Sequence, residues 1–212
     1  FIGSAFFGLT ATFWSQSVVA EVYTLAAFSL AFVLWSLLEW QATRKFAYFI
    51  AFLFAYGLSL GNHLTLITYF PAALAFILAV ESGVLRRFKA WLLGLAALIL
   101  GLGQYGLLFL RTAQVAPYIE HEGRTLPDLF QVVSGHQFRG QLFVFTPKEI
   151  LLERIPSFIR MLLGDITWAG LLLALAGFVF LYIKKRKAFL LLFLAFLGEA
   201  FWILNTDIRD IQ

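Results

Sequence analysis

Polar residues in this chain are confined to short interruptions between long apolar runs, and the spacing of those interruptions predicts membrane-crossing helices. Residues 1–13, rich in Phe, Ala and Gly, read as the end of a spanning helix, and Ser15 to Ser17 as a short break. Val18 to Leu38 supplies roughly the 20 residues needed to cross the hydrocarbon core. It is followed by Phe46 to Leu60, which stops at Gly61-Asn62-His63, and by Leu64 to Val80 with Pro71 inside it. Ala90 to Leu110 spans again, and Gly94, Gly101, Gly103 and Gly106 offer close helix approach there. From about residue 111 to 156 no apolar run reaches span length, so this stretch reads as a long polar loop with a functional role. Within it, residues 147–154 read as an interfacial helix opening at Thr146 or Pro147. The last two spans are expected at 157–183 and 188–204, with Asp165 and Trp168 placing the first turns of the former in the interface. The expected fold is therefore all-α, a polytopic bundle of about seven spans or part-spans forming one membrane domain over residues 1–212.

Composition agrees with this pattern. Only 13% of the 212 residues are charged while 61% are hydrophobic, against about 25% charged in soluble domains. The mean hydropathy is +0.86. Cysteine is absent, which removes thiolate metal sites and disulfides from consideration. The net charge of +4 does not point to nucleic acid, because 9 of the 16 basic residues sit in three short loops: Arg44/Lys45, Arg86/Arg87/Lys89 and Lys184 to Lys187. One orientation places all three on the cytoplasmic side. That orientation puts Glu21, Asn62/His63, the long loop and residues 205–212 together on the opposite face. A first residue other than Met, inside an apolar run, leads us to expect a fragment of a longer protein.

The candidate chemistry lies on that opposite face. Glu21 is the only ionised side chain between Ser15 and Leu38, and reads either as a site acid or as an acid favoured by a helix start. Asn62-His63 stands at a turn where an imidazole can donate to a phosphate, titrate, ligate a metal or serve only as a hydrogen-bonding turn residue. His136 and Arg139 share the long loop, and the Arg fork suits a phosphate as well as solvent. Glu199 is ionisable inside a span and is expected to line a cavity. Asp207 and Asp210 could hold a metal with another acid or lie in an exposed loop. The three His, at 63, 121 and 136, have no zinc-motif spacing.

Three motifs in order carry a family resemblance: W-x-x-x-x-x-A-E-V-Y-x-L (Trp14 to Leu25), G-L-S-x-x-N-H-x-T-L (Gly57 to Leu66) and N-x-D-I-x-D-I (Asn205 to Ile211). The chain resembles a family formerly grouped as of unknown function, which includes the lumenal O-mannosyltransferase of plexin-type receptors and many bacterial multi-span relatives. It looks like a member of the GT-C superfamily of membrane glycosyltransferases. The stretches Thr125 to Phe130 and Ser134 to Gly140 resemble the family's region after its central spans.

The resemblance implies transfer of a sugar, mannose in the eukaryotic case, from a polyprenyl-phosphate-linked donor to a hydroxyl acceptor on a protein or glycan. The transfer is expected at the extracytoplasmic face of a membrane, here the bacterial inner membrane. It also implies a main catalytic carboxylate in a G-G-D-S-G-E-like motif, which these residues do not contain and which would precede Phe1, so that the isolated fragment would be inactive. Glu21 then takes the part of a supporting acid. Tyr23, Asn62, His63, His136 and Arg139 become substrate- or donor-binding candidates, and a divalent metal is left open. The competing expectation is a multi-span transporter or lipid flippase, which should show inverted repeats with matching broken helices. None is evident in the sequence.

Overall fold

Backbone N–H and C=O groups in a bilayer must be satisfied within the segment that carries them, which restricts apolar runs of this length to helices. The computed structural model describes residues 2–19, 22–114 and 124–207, with Ile2, Leu85 and Gln137 described in their backbone only, and the regular elements among them are helical. Five stretches are long and apolar enough to cross a membrane: Tyr23–Thr43, Leu64–Val84, Phe88–Ala113, Pro147–Lys184 and Arg186–Asn205. A shorter apolar helix, Phe46–Asn62, accompanies them. The chain is thus a polytopic helical membrane protein, with six of the expected spans matched by helices.

The elements are α1 (Ile2–Gly8), α2 (Ala11–Ser17), α3 (Tyr23–Thr43), α4 (Phe46–Asn62), α5 (Phe70–Glu81), α6 (Phe88–Leu102), α7 (Gly106–Ala113), α8 (Leu126–Val133), α9 (Pro147–Glu149), α10 (Ile155–Lys184) and α11 (Arg186–Asn205). Short 3-10 turns at Leu64–Tyr69, Ser82–Arg86, Gly103–Tyr105 and His136–Gln141 link several of them.

Four boundaries differ from the sequence reading, each for a local reason. The first apolar run is not one helix but two, because Thr10 is extended (φ −64°, ψ 145°) and its hydroxyl turns back to the Phe7 carbonyl. The serines expected to break the chain lie inside α2, where Ser15 and Ser17 donate to the carbonyls of Thr12 and Trp14 three residues back. The next helix therefore opens at Tyr23 instead of Val18. Residues 147–154 do form a helix, started by a reciprocal Thr146–Glu149 capping box with Pro147 in the first turn. It is not separate, however, and runs through a π-helical turn (Ile150–Arg154) into α10.

The chain divides into two compact units. The first comprises Phe1–Ala27, Thr68–Val80 and Phe143–Gln212. In it, α11 packs through Leu191 and Ala195, and its closest approach is at Gly198, where a Cβ would lie 2.6 Å from the Thr68 carbonyl oxygen. None of the α10 residues is buried, and its Leu172, Leu173, Val179 and Phe180 present an apolar surface suited to lipid. Between α10 and α11 the Phe178 ring meets Phe189 and Phe193 edge-on, and the latter two stack on each other along α11. Arg154 fixes the far end of α11 by donating to the carbonyls of Ile203 (2.8 Å) and Thr206 (2.9 Å), with its guanidinium over the Phe145 ring.

The second unit comprises Phe28–Ile67 and Glu81–Leu142. Its centre is the α4–α6 pair, whose backbones touch: a Cβ on Gly57 would lie 2.7 Å from the Leu98 carbonyl oxygen, and one on Gly101 2.6 Å from that of Phe54. Of the glycines expected to permit such packing, Gly94 and Gly101 do so, while nothing lies within 4 Å of a Cβ on Gly103 or Gly106. Leu37, Trp40, Phe49, Phe52 and Tyr56 fill the remaining core.

Candidate functional site

The second unit has chemically distinct ends. At the start of α4 and α6, Glu81 pairs with Arg44 (3.7 Å) and with Arg87, so two of the three basic loops meet at one end. Seventeen residues of α4 at 1.5 Å each separate that end from Asn62 by about 25 Å.

The turn at the other end is braced from three directions. Gln104 Nε2 donates to the Leu58 carbonyl, the Tyr105 hydroxyl to that of Leu60 (2.8 Å), and the Tyr56 hydroxyl to that of Leu66 (3.0 Å). The first two bonds reach carbonyls near the end of α4, Leu60 being one that the helix leaves open, and the third reaches the 3-10 turn beyond it, so that Asn62 and His63 are held in a half-buried turn between braced segments. His63 Nδ1 lies 2.5 Å from the Thr65 hydroxyl, and burial holds the imidazole below its ordinary pKa, so the neutral ring is favoured at pH 7.

The long loop reaches the same turn. Thr125 and Asp128 form a capping box that starts α8, and the Thr125 hydrogen bonds hold the Asp128 carboxyl below the usual carboxylate range. The helix ends at Gly135 in the left-handed conformation (φ 62°, ψ 33°), and a Cβ there would lie 3.2 Å from Leu64, the residue after His63. The 3-10 turn that follows presents His136 and Arg139, both exposed. Sequence-expected residues 62, 63, 136 and 139 thus belong to one end of one unit, joined by the Gly135–Leu64 approach.

Glu199 and Asp207 lie in the first unit. Glu199 accepts from Thr68 Oγ1 (3.0 Å) and is hydrogen-bonded to the Tyr69 phenol. It was expected to line a cavity, and its carboxyl has these two side-chain partners beside the close approach of Gly198 to the Thr68 carbonyl. Asp207 is half-buried just beyond α11. Glu21, Asp210 and His121 fall outside the described residues.

Tyr23 lines a half-open cleft of about 260 Å³ with Phe7, Thr12, Phe13, Gln16 and Asp165. Asp165 Oδ1 accepts from the Thr12 hydroxyl (2.7 Å) and from the Thr12 backbone N–H (3.3 Å). The pairing of Thr12 with Asp165 has no sequence signal, because 153 positions separate them. The only available hint was an acid in an otherwise apolar span. Among the described residues no group of three or more His, Asp or Glu is placed to hold a metal ion.

These features are a braced polar turn with an Arg-bearing loop at one helix end, an acid-lined cleft, and motif residues in both. Residues 1–84 match the family model of the protein O-mannosyl-transferase TMEM260 N-terminal domain. This is the family that the sequence motifs resemble, and the match contains the first two of the three, Trp14 to Leu25 and Gly57 to Leu66, while Asn205 to Ile211 lies outside it. No curated protein and no solved structure matches the chain.

Proposed function

We propose that the chain is part of a membrane glycosyltransferase that moves a sugar, mannose by the family's name, from a polyprenyl-phosphate-linked donor to a hydroxyl acceptor such as a protein Ser or Thr. The observation that carries this reading is the O-mannosyl-transferase family match over residues 1–84, the part of the chain that includes Tyr23, Asn62 and His63.

In this reaction the acceptor hydroxyl oxygen bonds to the anomeric carbon, the bond from that carbon to the phosphate oxygen breaks, and the phosphate leaves with the electron pair. The acceptor proton passes to a carboxylate. Developing charge on the leaving phosphate calls for fixed donors aimed at it. The end of the second unit supplies chemistry of that kind. Arg139 brings a permanent charge and a bidentate fork. His63, kept neutral by burial, brings a hydrogen bond without a second full charge, and Asn62 and His136 add polar groups at the same end. Glu21 takes the part of a supporting acid that orients the acceptor. We place the reaction at the extracytoplasmic face, with a bacterial inner membrane as the expected setting; the basic character of the Arg44/Arg87 end, that of cytoplasmic loops, supports the choice of face.

The test is donor choice by the full-length protein in proteoliposomes. Transfer of labelled mannose to a Ser/Thr peptide is expected from polyprenyl-phosphate mannose and not from a nucleotide sugar. Use of the nucleotide sugar, or no transfer from either donor, overturns the assignment.

A further inference from the structure

The ionisable groups within the spans of the first unit are not equivalent. Glu199 has its carboxyl bonded by Thr68 and Tyr69, and the Arg154 guanidinium is spent on two carbonyls and an aromatic face. Asp165 is different: among the described residues only Thr12 bonds it, through Oδ1, and it lies in the wall of a cleft. A half-buried carboxylate with one oxygen engaged and a cleft in front of it is placed to contact a ligand.

Depth separates them too. Along α10, Lys184 is 19 positions beyond Asp165, which at 1.5 Å each is about 28 Å, close to the ~30 Å thickness of the hydrocarbon core. Asp165 therefore stands at the membrane boundary opposite the Lys184 to Lys187 loop. Glu199, 12 residues from Lys187, lies about 18 Å from that loop, inside the hydrocarbon.

The helix is broken at the same level. Thr167 has φ 60° and ψ 170°, a conformation a β-branched residue adopts only under constraint, and its hydroxyl accepts from the Gly170 N–H at 3.5 Å. The packing of Phe6 against Gly170 keeps α1 beside the break, since a Cβ on Gly170 would lie 3.2 Å from the Phe6 ring. Residues of α1 and α2 thereby form the wall that faces Asp165.

We propose that this cleft is a hexose subsite, in which Asp165 and Gln16 hydrogen-bond ring hydroxyls and the paired Phe7 and Phe13 rings cover the apolar face of the sugar. The lining, mostly apolar with a few hydrogen-bonding groups, offers a sugar both a wall for its C–H face and partners for its hydroxyls. The two rings, 4.7 Å apart, make an apolar wall for ring C–H groups, and a carboxylate, an amide, a threonine and a phenol supply donors and acceptors without a cation to attract an anion. A volume of about 260 Å³ lies just below the range of drug-sized pockets, about 300 Å³ and upward, which suits one monosaccharide unit. The assignment of a hexose rests on the transferase reading above. The ring belongs either to the lipid-linked donor or to a glycan acceptor, since both present the same hydroxyls.

The test uses the full-length protein in nanodiscs and probes that need no turnover. Methyl α-mannoside binding, followed by saturation-transfer NMR, is expected to weaken about tenfold or more in Asp165→Asn, where a charge-assisted bond is lost. In Gln16→Ala, which leaves the Thr12–Asp165 bond intact and so guards against misfolding, a loss of about threefold is expected. Binding of sugar-free polyprenyl phosphate should stay within about twofold of wild type in both variants, since these residues are assigned to the hydroxyls alone. Steady-state transfer then separates the sources: a raised KM for polyprenyl-phosphate mannose alone marks the donor hexose, and a raised KM for a glycan acceptor alone marks the acceptor. Mannoside binding that is absent from wild type, or equal in wild type and both variants, overturns the subsite. A protein that binds mannoside in an Asp165-dependent way but transfers no sugar keeps the subsite and refutes the transferase reading instead.

Discussion

The approach of α11 to Thr68 allows a quantitative prediction for Gly198→Ala. A Cβ at Gly198 would sit 2.6 Å from the Thr68 carbonyl oxygen, whereas comfortable non-bonded contact begins near 3.5 Å. The helix must withdraw by several tenths of an ångström or more. The hydrogen bond from Thr68 Oγ1 to Glu199, now 3.0 Å, then stretches toward or past its limit of roughly 3.5 Å. Overpacking of this kind costs about 1–3 kcal/mol, and an interhelical hydrogen bond in a membrane protein adds about 0.6–1.7 kcal/mol. The combined loss is therefore about 2–5 kcal/mol of unfolding free energy. Reversible unfolding in mixed SDS micelles measures it. A second variant makes the reasoning sharper. Thr68→Val alone should cost about 0.6–1.7 kcal/mol, but in the Gly198→Ala background it should cost almost nothing, because the bond is already lost. Additive losses, or a Gly198→Ala protein as stable as wild type, would refute the coupling between close approach and Glu199.

Other predictions follow the same logic. Gly101→Ala should destabilise the α4–α6 pair by about 1–3 kcal/mol, while Gly103→Ala, which meets nothing within 4 Å, should not; equal behaviour in SDS unfolding would contradict the assigned packing. The Asp128 carboxyl is held below its ordinary value, so its capping bond to Thr125 is complete above roughly pH 4 and is lost as pH falls through the lowered folded value. Hydrogen-exchange protection of α8 should therefore stay level from pH 6 to roughly pH 4 and fall only below that in wild type, and a protection factor that declines already above it, or not at all, would count against the cap. His63→Ala should weaken binding of sugar-free polyprenyl phosphate by about threefold or more, measured by titration in nanodiscs, and unaltered affinity would remove His63 from the phosphate end.

The spans were legible because membrane helices advertise themselves through length and continuous hydrophobicity, and the boundaries at Arg44/Lys45 and at Lys184 to Lys187 carry charge. The Asn62-His63 turn was legible from its motif. Less visible were features that depend on tertiary partners. Ser15 and Ser17 look like helix breakers in sequence but satisfy their hydroxyls on the preceding turn. Gly101 and Gly103 stand two residues apart, yet only the former faces α4. Asp165 could be recognised as an unusual acid, but Thr12, Gln16 and the Phe7–Phe13 pair that make its cleft come from the opposite end of the chain. Gln104 and Tyr105 read as ordinary residues of a span, and only the structure shows them bracing the turn before His63.

The most direct measurement of the account is the initial rate at which the full-length protein in proteoliposomes transfers mannose from polyprenyl-phosphate mannose to a Ser/Thr peptide, compared between wild type and Glu21→Gln at matched amounts of folded protein. The account predicts measurable transfer by wild type and a rate lowered about tenfold or more by Glu21→Gln. Absence of transfer by wild type would contradict the assigned reaction, and equal rates would contradict the place of Glu21 in it.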